Sequence, residues 1–383
     1  MSEGCTRSIA AMLLCAILAL VFLPLKTSRA EGLSATAKAY ILMEAETGTV
    51  IDAKNEQEAL YGAGITKLMS FLLFFEALQN GTVKIDEVIS VSQEASSKKG
   101  TSAFLDAGET HSFGDLLKAA IVCSANDATC ALAEKIAGSE SAFTEQMNAK
   151  AELLGIDAVF ADCTGVSTES KASAQAFAII AAKLSTYNSF FEYSTCWTFT
   201  FVHNSGRETE ITNGNTLVRN GACDGMATGS TAESGYHMVA SGKSGSARFI
   251  FVILGDKDAA SRAAAANQAI SQAAAAYGVK QVAQKDAKYK SVPLENTEEG
   301  VVDIYPSEDM ALLYKKGEEN LIRVQVEIEE FQPPLVQGQI VGKIIAETPG
   351  GQQSVALEVR EEVKVRSIKG GAGRILRIWL FGL

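Results

Sequence analysis

The chain has 383 residues and a formal net charge of −11, with 47% hydrophobic and 21% charged residues. This length and composition are typical of a globular protein with enough chain for two domains. The negative charge argues against a nucleic-acid partner, which would require a basic face. The three histidines, His111, His203 and His237, form no H-E-x-x-H pattern, so we predict neither a zinc hydrolase nor another metal or cofactor site.

Residues 1–30 have the pattern of an export signal. Arg7 precedes an apolar stretch from Ile9 to Leu25, and Ser28-Arg29-Ala30 forms a small-x-small cleavage site. We therefore expect an extracytoplasmic protein, in the cell wall or at the outer face of the cytoplasmic membrane. Five scattered cysteines would remain after cleavage, a number compatible with one or two disulfides and equally with free thiols.

Residues 31–279 alternate between strand and helix patterns. The predicted elements are, in chain order, a β-hairpin over 39–53 with a turn at Thr47-Gly48, a buried helix over 64–79, two helices within 113–136, a helix over 143–154, strands over 235–241 and 248–255, and an alanine-rich helix over 258–277 capped by Gly278. This order predicts one α+β domain, with an antiparallel sheet built from both ends of the segment and helices packed against it.

The pattern of polar and apolar residues changes after residue 279. We predict a polar linker over 280–296, a small all-β domain over 297–367 and an apolar tail over 368–383. About ten apolar positions are too few for a membrane span, which needs ~20. Arg374 and Arg377 beside Trp379 and Phe381 favour a segment at the membrane surface, and the alternative is a terminal strand or helix of the β domain.

Lys67 lies near the start of the first predicted helix, whose other residues are mostly apolar, and a buried lysine usually has a partner or a task. It ends the first of three short motifs, "GITK" (Gly64–Lys67), "SAN" (Ser124–Asn126) and "ATG" (Ala227–Gly229). In their order and contexts these resemble S-x-x-K, S-x-N and K-T-G, the motifs of penicillin-binding proteins and serine β-lactamases.

The sequences around the motifs narrow the resemblance. From Ser34 to the end, the chain resembles the low-molecular-weight D-alanyl-D-alanine carboxypeptidases, including their C-terminal β domain and apolar tail. The stretches that carry it are "AKAYILMEAETGTVI", "SANDATCALAE", "FTEQMNAKAELLG" and "CDGMATGSTAESGYHMVAS". The resemblance implies the penicillin-binding-protein fold and a substrate class, peptidoglycan stem peptides ending in D-Ala-D-Ala.

The resemblance also implies the catalytic positions. Position 64 would carry the nucleophilic serine, and Lys67, one helical turn on, would be its general base. Ser124 would relay protons, and Asn126 would bind the substrate amide.

The third motif would supply the substrate-binding positions. Positions 227 and 228 would bind the terminal carboxylate, and the strand backbone at Ala227-Thr228-Gly229 would help to form the oxyanion hole.

Two of these positions carry the wrong residue. Gly64 stands where the nucleophile belongs, and deleting the nucleophile of a serine protease costs about a million-fold in turnover. Ala227 replaces the lysine of K-T-G, which removes a charge-assisted hydrogen bond worth roughly 1.5–3 kcal/mol. We therefore predict a catalytically impaired member of the family.

Two alternatives stay open. One is an active carboxypeptidase that uses another hydroxyl, for which Ser124 is a better candidate than Thr66 or Ser70. The other is a structural or partner-binding cell-wall protein. His237, on the strand after the third motif, is predicted to be structural.

Overall fold

The computed structural model describes residues 36–365, and within this range it contains eight α-helices. They are α1 Lys67–Gln79, α2 Gln93–Ser96, α3 Phe113–Val122, α4 Asn126–Ala137, α5 Glu140–Leu153, α6 Ala174–Leu184, α7 Phe190–Ser194 and α8 Ala259–Ala276. Four of the longer helices begin after a serine or aspartate whose side chain accepts a hydrogen bond from the first turn, as N-caps do: α3, α5, α6 and α8.

Eighteen β-strands lie in the same described range. They are β1 Ala39–Glu44, β2 Val50–Lys54, β3 Val88–Ser90, β4 Thr110–Ser112, β5 Ala158–Val159, β6 Lys171–Ala172, β7 Thr198–Val202, β8 Glu208–Thr212, β9 Met226–Thr231, β10 Gly235–Ser244, β11 Ala247–Asp256, β12 Tyr277–Ala283, β13 Lys290–Pro293, β14 Val301–Pro306, β15 Met310–Lys315, β16 Arg323–Ile328, β17 Ile340–Thr348 and β18 Gly351–Val359.

The central sheet has five antiparallel strands in the order β2-β1-β11-β10-β9. It joins strands from both ends of the N-terminal domain, as predicted. Strand β9 lies at one edge, where it pairs with β10 so that Thr228 faces Met238. The motif "ATG" therefore lies on an edge strand.

Helices cover both faces of this sheet, which explains why β11 is apolar at every position from 249 to 254. Phe249, Phe251 and Ile253 pack towards the face covered by α8. Ile250, Val252 and Leu254 face the opposite core, which α1, α3, α4 and α6 help to fill. The sequence alternation of a strand places these two sets on opposite faces.

The C-terminal part is a second β structure. Strands β13-β14-β18-β17-β16 form an antiparallel five-stranded sheet over a separate small core. The α+β domain followed by a small all-β domain is thus confirmed. The predicted tail over 368–383 and the predicted export signal over 1–30 lie outside the described residues. Among the described residues no helix is long and apolar enough to span a bilayer.

Three local predictions were wrong. The helix predicted over 64–79 begins instead as a 3-10 turn over Ala63–Thr66, and the α-helix α1 starts only at Lys67. Gly278 does not cap α8 but lies within β12, because Tyr277 leaves the helix in an extended conformation. The expected linker over 280–296 contains the end of β12 and all of β13, each paired with a later strand, which short-range sequence patterns do not reveal.

The five cysteines of the described range are all free thiols. Cys130, Cys163 and Cys223 are buried, whereas Cys123 and Cys196 are partly exposed. The structure therefore agrees with the free-thiol alternative.

Candidate active site

Gly64 lies in the 3-10 turn over Ala63–Thr66, directly before α1. Ala63 adopts a positive φ of 48°, a conformation uncommon for residues other than glycine and often associated with functional sites. A Cβ atom built on Gly64 would lie 3.4 Å from Ser124 Oγ and 2.9 Å from the carbonyl oxygen of Thr228. The three sequence motifs therefore meet around position 64.

Lys67 is the first residue of α1, and its side chain is only 2% exposed. Its Nζ donates a hydrogen bond to the carbonyl oxygen of Thr164 at 2.8 Å. Burial lowers the pKa of Lys67 to about 8, while nearby acidic groups raise it by a smaller amount. An amine in this range can accept a proton near neutral pH, which is what a general base requires.

Ser124 and Asn126 lie where α3 ends and α4 begins. Ser124 has φ 62°, a second non-glycine residue in the left-handed region at this site. Asn126 is 4% exposed; its Nδ2 donates to the carbonyl oxygen of Lys99 at 2.6 Å, and its Oδ1 has no hydrogen-bond partner. The amide is thus turned towards the 99–105 loop, and its oxygen is an unsatisfied acceptor.

The loop over 99–105 is held by the residue after Asn126. Asp127 accepts hydrogen bonds from Ser102 Oγ at 2.6 Å and from the backbone N–H groups of Ala103 and Leu105, both at 3.0 Å. Asp127 therefore anchors this loop to the start of α4, a role that the sequence analysis missed.

Strand β9 brings Thr228 and Gly229 against the 3-10 turn. A Cβ on Gly229 would lie 2.6 Å from the backbone nitrogen of Gly64, so this position needs a glycine. Ala227 is partly buried on the same strand and offers no charge. A guanidinium approaches from the α8 side, where Arg262 Nη1 donates to the carbonyl oxygens of Gly229 at 2.9 Å and His237 at 2.7 Å.

The space beside Gly62 and Gly64 is occupied. Phe177 Cζ lies 2.7 Å from the position of a Cβ on Gly62, and the Thr228 carbonyl oxygen fills the corresponding space at Gly64. Real Cβ atoms essentially never approach other atoms this closely. A side chain at either position would therefore require its surroundings to move.

Two of the alternative hydroxyls, those of Ser70 and Thr66, are buried. Ser70 Oγ is buried and donates to the carbonyl oxygen of Cys163 at 2.6 Å. Thr66 is buried against Gly165. His237 is 1% exposed; its Nδ1 accepts from the N–H of Gly255 at 3.1 Å, and its Nε2 lies 2.8 Å from Ser234 Oγ. Burial lowers the pKa of His237 to about 4, so the ring is neutral, as a structural histidine should be.

Three features converge on position 64: a lysine at the start of a buried helix, an S-x-N turn and an edge strand. This arrangement defines the class of penicillin-binding proteins and serine β-lactamases. Sequence comparison narrows this class. The profile of the D-alanyl-D-alanine carboxypeptidase family matches residues 26–258, and that of the penicillin-binding protein 5 C-terminal domain matches residues 277–365.

Comparison with individual relatives supports the same family. The chain is 31% identical over 348 residues to the D-alanyl-D-alanine carboxypeptidase DacF of Bacillus subtilis, covering 88% of this chain and 90% of the relative. It is 28% identical to DacC of Escherichia coli, covering 92% and 88%. The crystal structure of penicillin-binding protein 5 from Haemophilus influenzae superposes with a TM-score of 0.76 at 26% identity, covering 86% of this chain and 98% of the other. The chain belongs to the D-alanyl-D-alanine carboxypeptidase family.

Proposed function

We propose that this chain is an exported, non-acylating member of its family that binds peptidoglycan stem peptides ending in D-Ala-D-Ala. The observation that carries the proposal is Gly64. It lies three residues before the buried Lys67, at the point where the three motifs meet, and it has no oxygen on which an acyl group could form. Export is supported by the pattern of residues 1–30.

Strand β9 supports retained binding. It is the edge strand of the central sheet, and Thr228 and Gly229 are both partly exposed there. An extended peptide can pair with an exposed sheet edge through main-chain hydrogen bonds, and neighbouring side chains then supply specificity.

The affinity should be modest. Without a lysine at position 227, the peptide carboxylate loses a charge-assisted hydrogen bond worth roughly 1.5–3 kcal/mol, which corresponds to about 10- to 150-fold in affinity. The crowding at Gly64 favours a second candidate function, a structural or partner-binding role in which the substrate-binding cleft at the three motifs is closed.

Titration of the isotope-labelled protein with a peptide ending in D-Ala-D-Ala tests the proposal, with a peptide ending in L-Ala-L-Ala as the matched control. We expect saturable NMR shifts at Thr228 and Gly229 with the first peptide alone, and no release of D-alanine. Identical spectra with both peptides would support the second candidate, and release of D-alanine by the unmutated protein would overturn the non-acylating assignment.

A further inference from the structure

Two histidines that are remote in sequence meet at a buried carboxylate outside the candidate active site. Glu109 immediately precedes β4, His111 lies within β4, and His203 follows β7. Their exposed fractions are 7%, 7% and 2%. The three side chains therefore form one buried cluster, although the sequence spacing shows no metal motif.

The distances between their polar atoms suit a shared metal ion. Glu109 Oε2 lies 3.2 Å from His111 Nε2 and 3.1 Å from His203 Nδ1, and the three ligand atoms all lie within 4.8 Å of one another. In a tetrahedral zinc site with bonds of 2.0–2.1 Å, neighbouring ligand atoms are about 3.3 Å apart. Little movement would be needed to admit the ion.

The surroundings orient one ligand correctly. His203 Nε2 lies 2.9 Å from Thr209 Oγ1, so a metal on Nδ1 would leave the Nε2–H to donate to this hydroxyl. Metal-binding histidines usually donate their second ring N–H in this way, which fixes the tautomer. The His111 ring is held against the Phe201 ring, with centroids 4.8 Å apart.

One neighbouring cation opposes a metal. Arg207 Nη2 lies 3.2 Å from His203 Nδ1 and donates to the carbonyl oxygen of Phe104 at 2.5 Å. Arg207 also contacts Asp106 Oδ2 and Thr209 Oγ1, each at 3.4 Å, and its side chain is 41% exposed. Metal binding with a water molecule as the fourth ligand would require this side chain to turn into solvent. The guanidinium and the metal would therefore compete for this place.

We propose that Glu109, His111 and His203 form a structural site for a divalent cation, with zinc as the best match to two imidazoles and a carboxylate. The ion would join the segment before α3 to the β7–β8 hairpin. Both segments lead towards the candidate active site. The segment before α3 follows the 99–105 loop, which contacts Asn126. The hairpin is followed by Gly214, where a Cβ would lie 2.7 Å from Thr228 Oγ1. Two imidazoles, a carboxylate and a water molecule are also the ligand set of catalytic zinc sites, and only the burial of all three side chains leads us to assign a structural role here.

Zinc titration of the chelator-treated full chain tests the proposal, with binding measured by calorimetry and the melting temperature measured in parallel. We expect one equivalent of zinc and a higher melting temperature. The Thr209→Val variant should bind about 10- to 100-fold more weakly, as expected for loss of an outer-shell partner. The His111→Gln and His203→Gln variants should lose the site.

The Arg207→Ala variant provides an opposite expectation, because removing the competing cation should tighten zinc binding without touching a ligand. The Cys196→Ser variant is the matched control for stray binding to a partly exposed thiol and should change nothing. The proposal is overturned if neither the unmutated chain nor Arg207→Ala binds one equivalent. It is also overturned if both histidine variants retain the metal, which would point to the buried group of Cys130, Glu140 and Cys163.

Discussion

Replacing Gly64 by serine returns an oxygen to the place where the three motifs meet. The new Cβ would begin 2.9 Å from the Thr228 carbonyl oxygen, whereas ordinary contacts start at 3.4 Å, so β9 must retreat by about 0.5 Å. Overpacking of this kind costs about 1–3 kcal/mol. Removing a glycine from the unfolded chain offsets about 0.4–1 kcal/mol.

The net expectation is a loss of about 1 kcal/mol in unfolding free energy, or about 2–4 °C in melting temperature for a domain of this size. Gly64→Ala is the matched control, because it introduces the same Cβ and no hydroxyl. Both variants should therefore be destabilised to a similar extent in thermal unfolding.

Only the serine variant should react with fluorescent penicillin, since only its hydroxyl can be activated by Lys67. Adding Ala227→Lys should raise the labelling rate by about tenfold to hundredfold, because the charge-assisted hydrogen bond to the carboxylate returns. The predicted role of Lys67 as general base is refuted if Gly64→Ser folds but stays unlabelled even together with Ala227→Lys, or if Gly64→Ala becomes labelled.

Further predictions concern titrating groups and thiols. Burial lowers the pKa of Lys67 to about 8, so between pH 8 and 10 the unfolded chain binds more protons than the folded chain and stability rises with pH. The unfolding free energy of the protein relative to Lys67→Met should thus rise by about 2–3 kcal/mol from pH 7 to pH 10, and a flat difference in urea titrations would contradict this. Burial likewise lowers the pKa of His237 from 6.5 to about 4, so the protein should lose about 3 kcal/mol relative to His237→Gln as the pH falls from 7 to 4; equal losses would show that the ring is not held neutral. In the native protein, iodoacetamide should modify Cys196 before Cys123, because burial raises the pKa of Cys123 to about 12, as peptide mapping can show. The three buried thiols should react only after unfolding, and early modification of any of them would contradict the packing. These thiols belong to Cys130, Cys163 and Cys223.

The parts of the fold that the sequence predicted are those with strong local patterns. The hairpin of β1 and β2, the strands β10 and β11, and the alanine-rich α8 follow from short apolar runs, turn residues and helix propensity. The wrong linker prediction has the opposite cause, since β12 and β13 are stabilised by pairing with β15 and β14 rather than by their own composition.

The candidate site divides in the same way. The motifs predicted that Gly64, Lys67 and Ser124 belong to one site, because the residue types and the order of the motifs are specific. The occupied spaces beside Gly62 and Gly64, by contrast, arise from Phe177 and Thr228, which are remote in sequence. The cluster of Glu109 and two histidines was missed for the same reason, since tertiary contacts alone bring its members together.

We predict that no side chain of this protein accepts an acyl group. Incubation of the unmutated protein with a β-lactam, followed by intact mass spectrometry, tests it directly. We expect an unchanged mass after long exposure, and a mass increase equal to one β-lactam, on whichever side chain, would contradict this expectation.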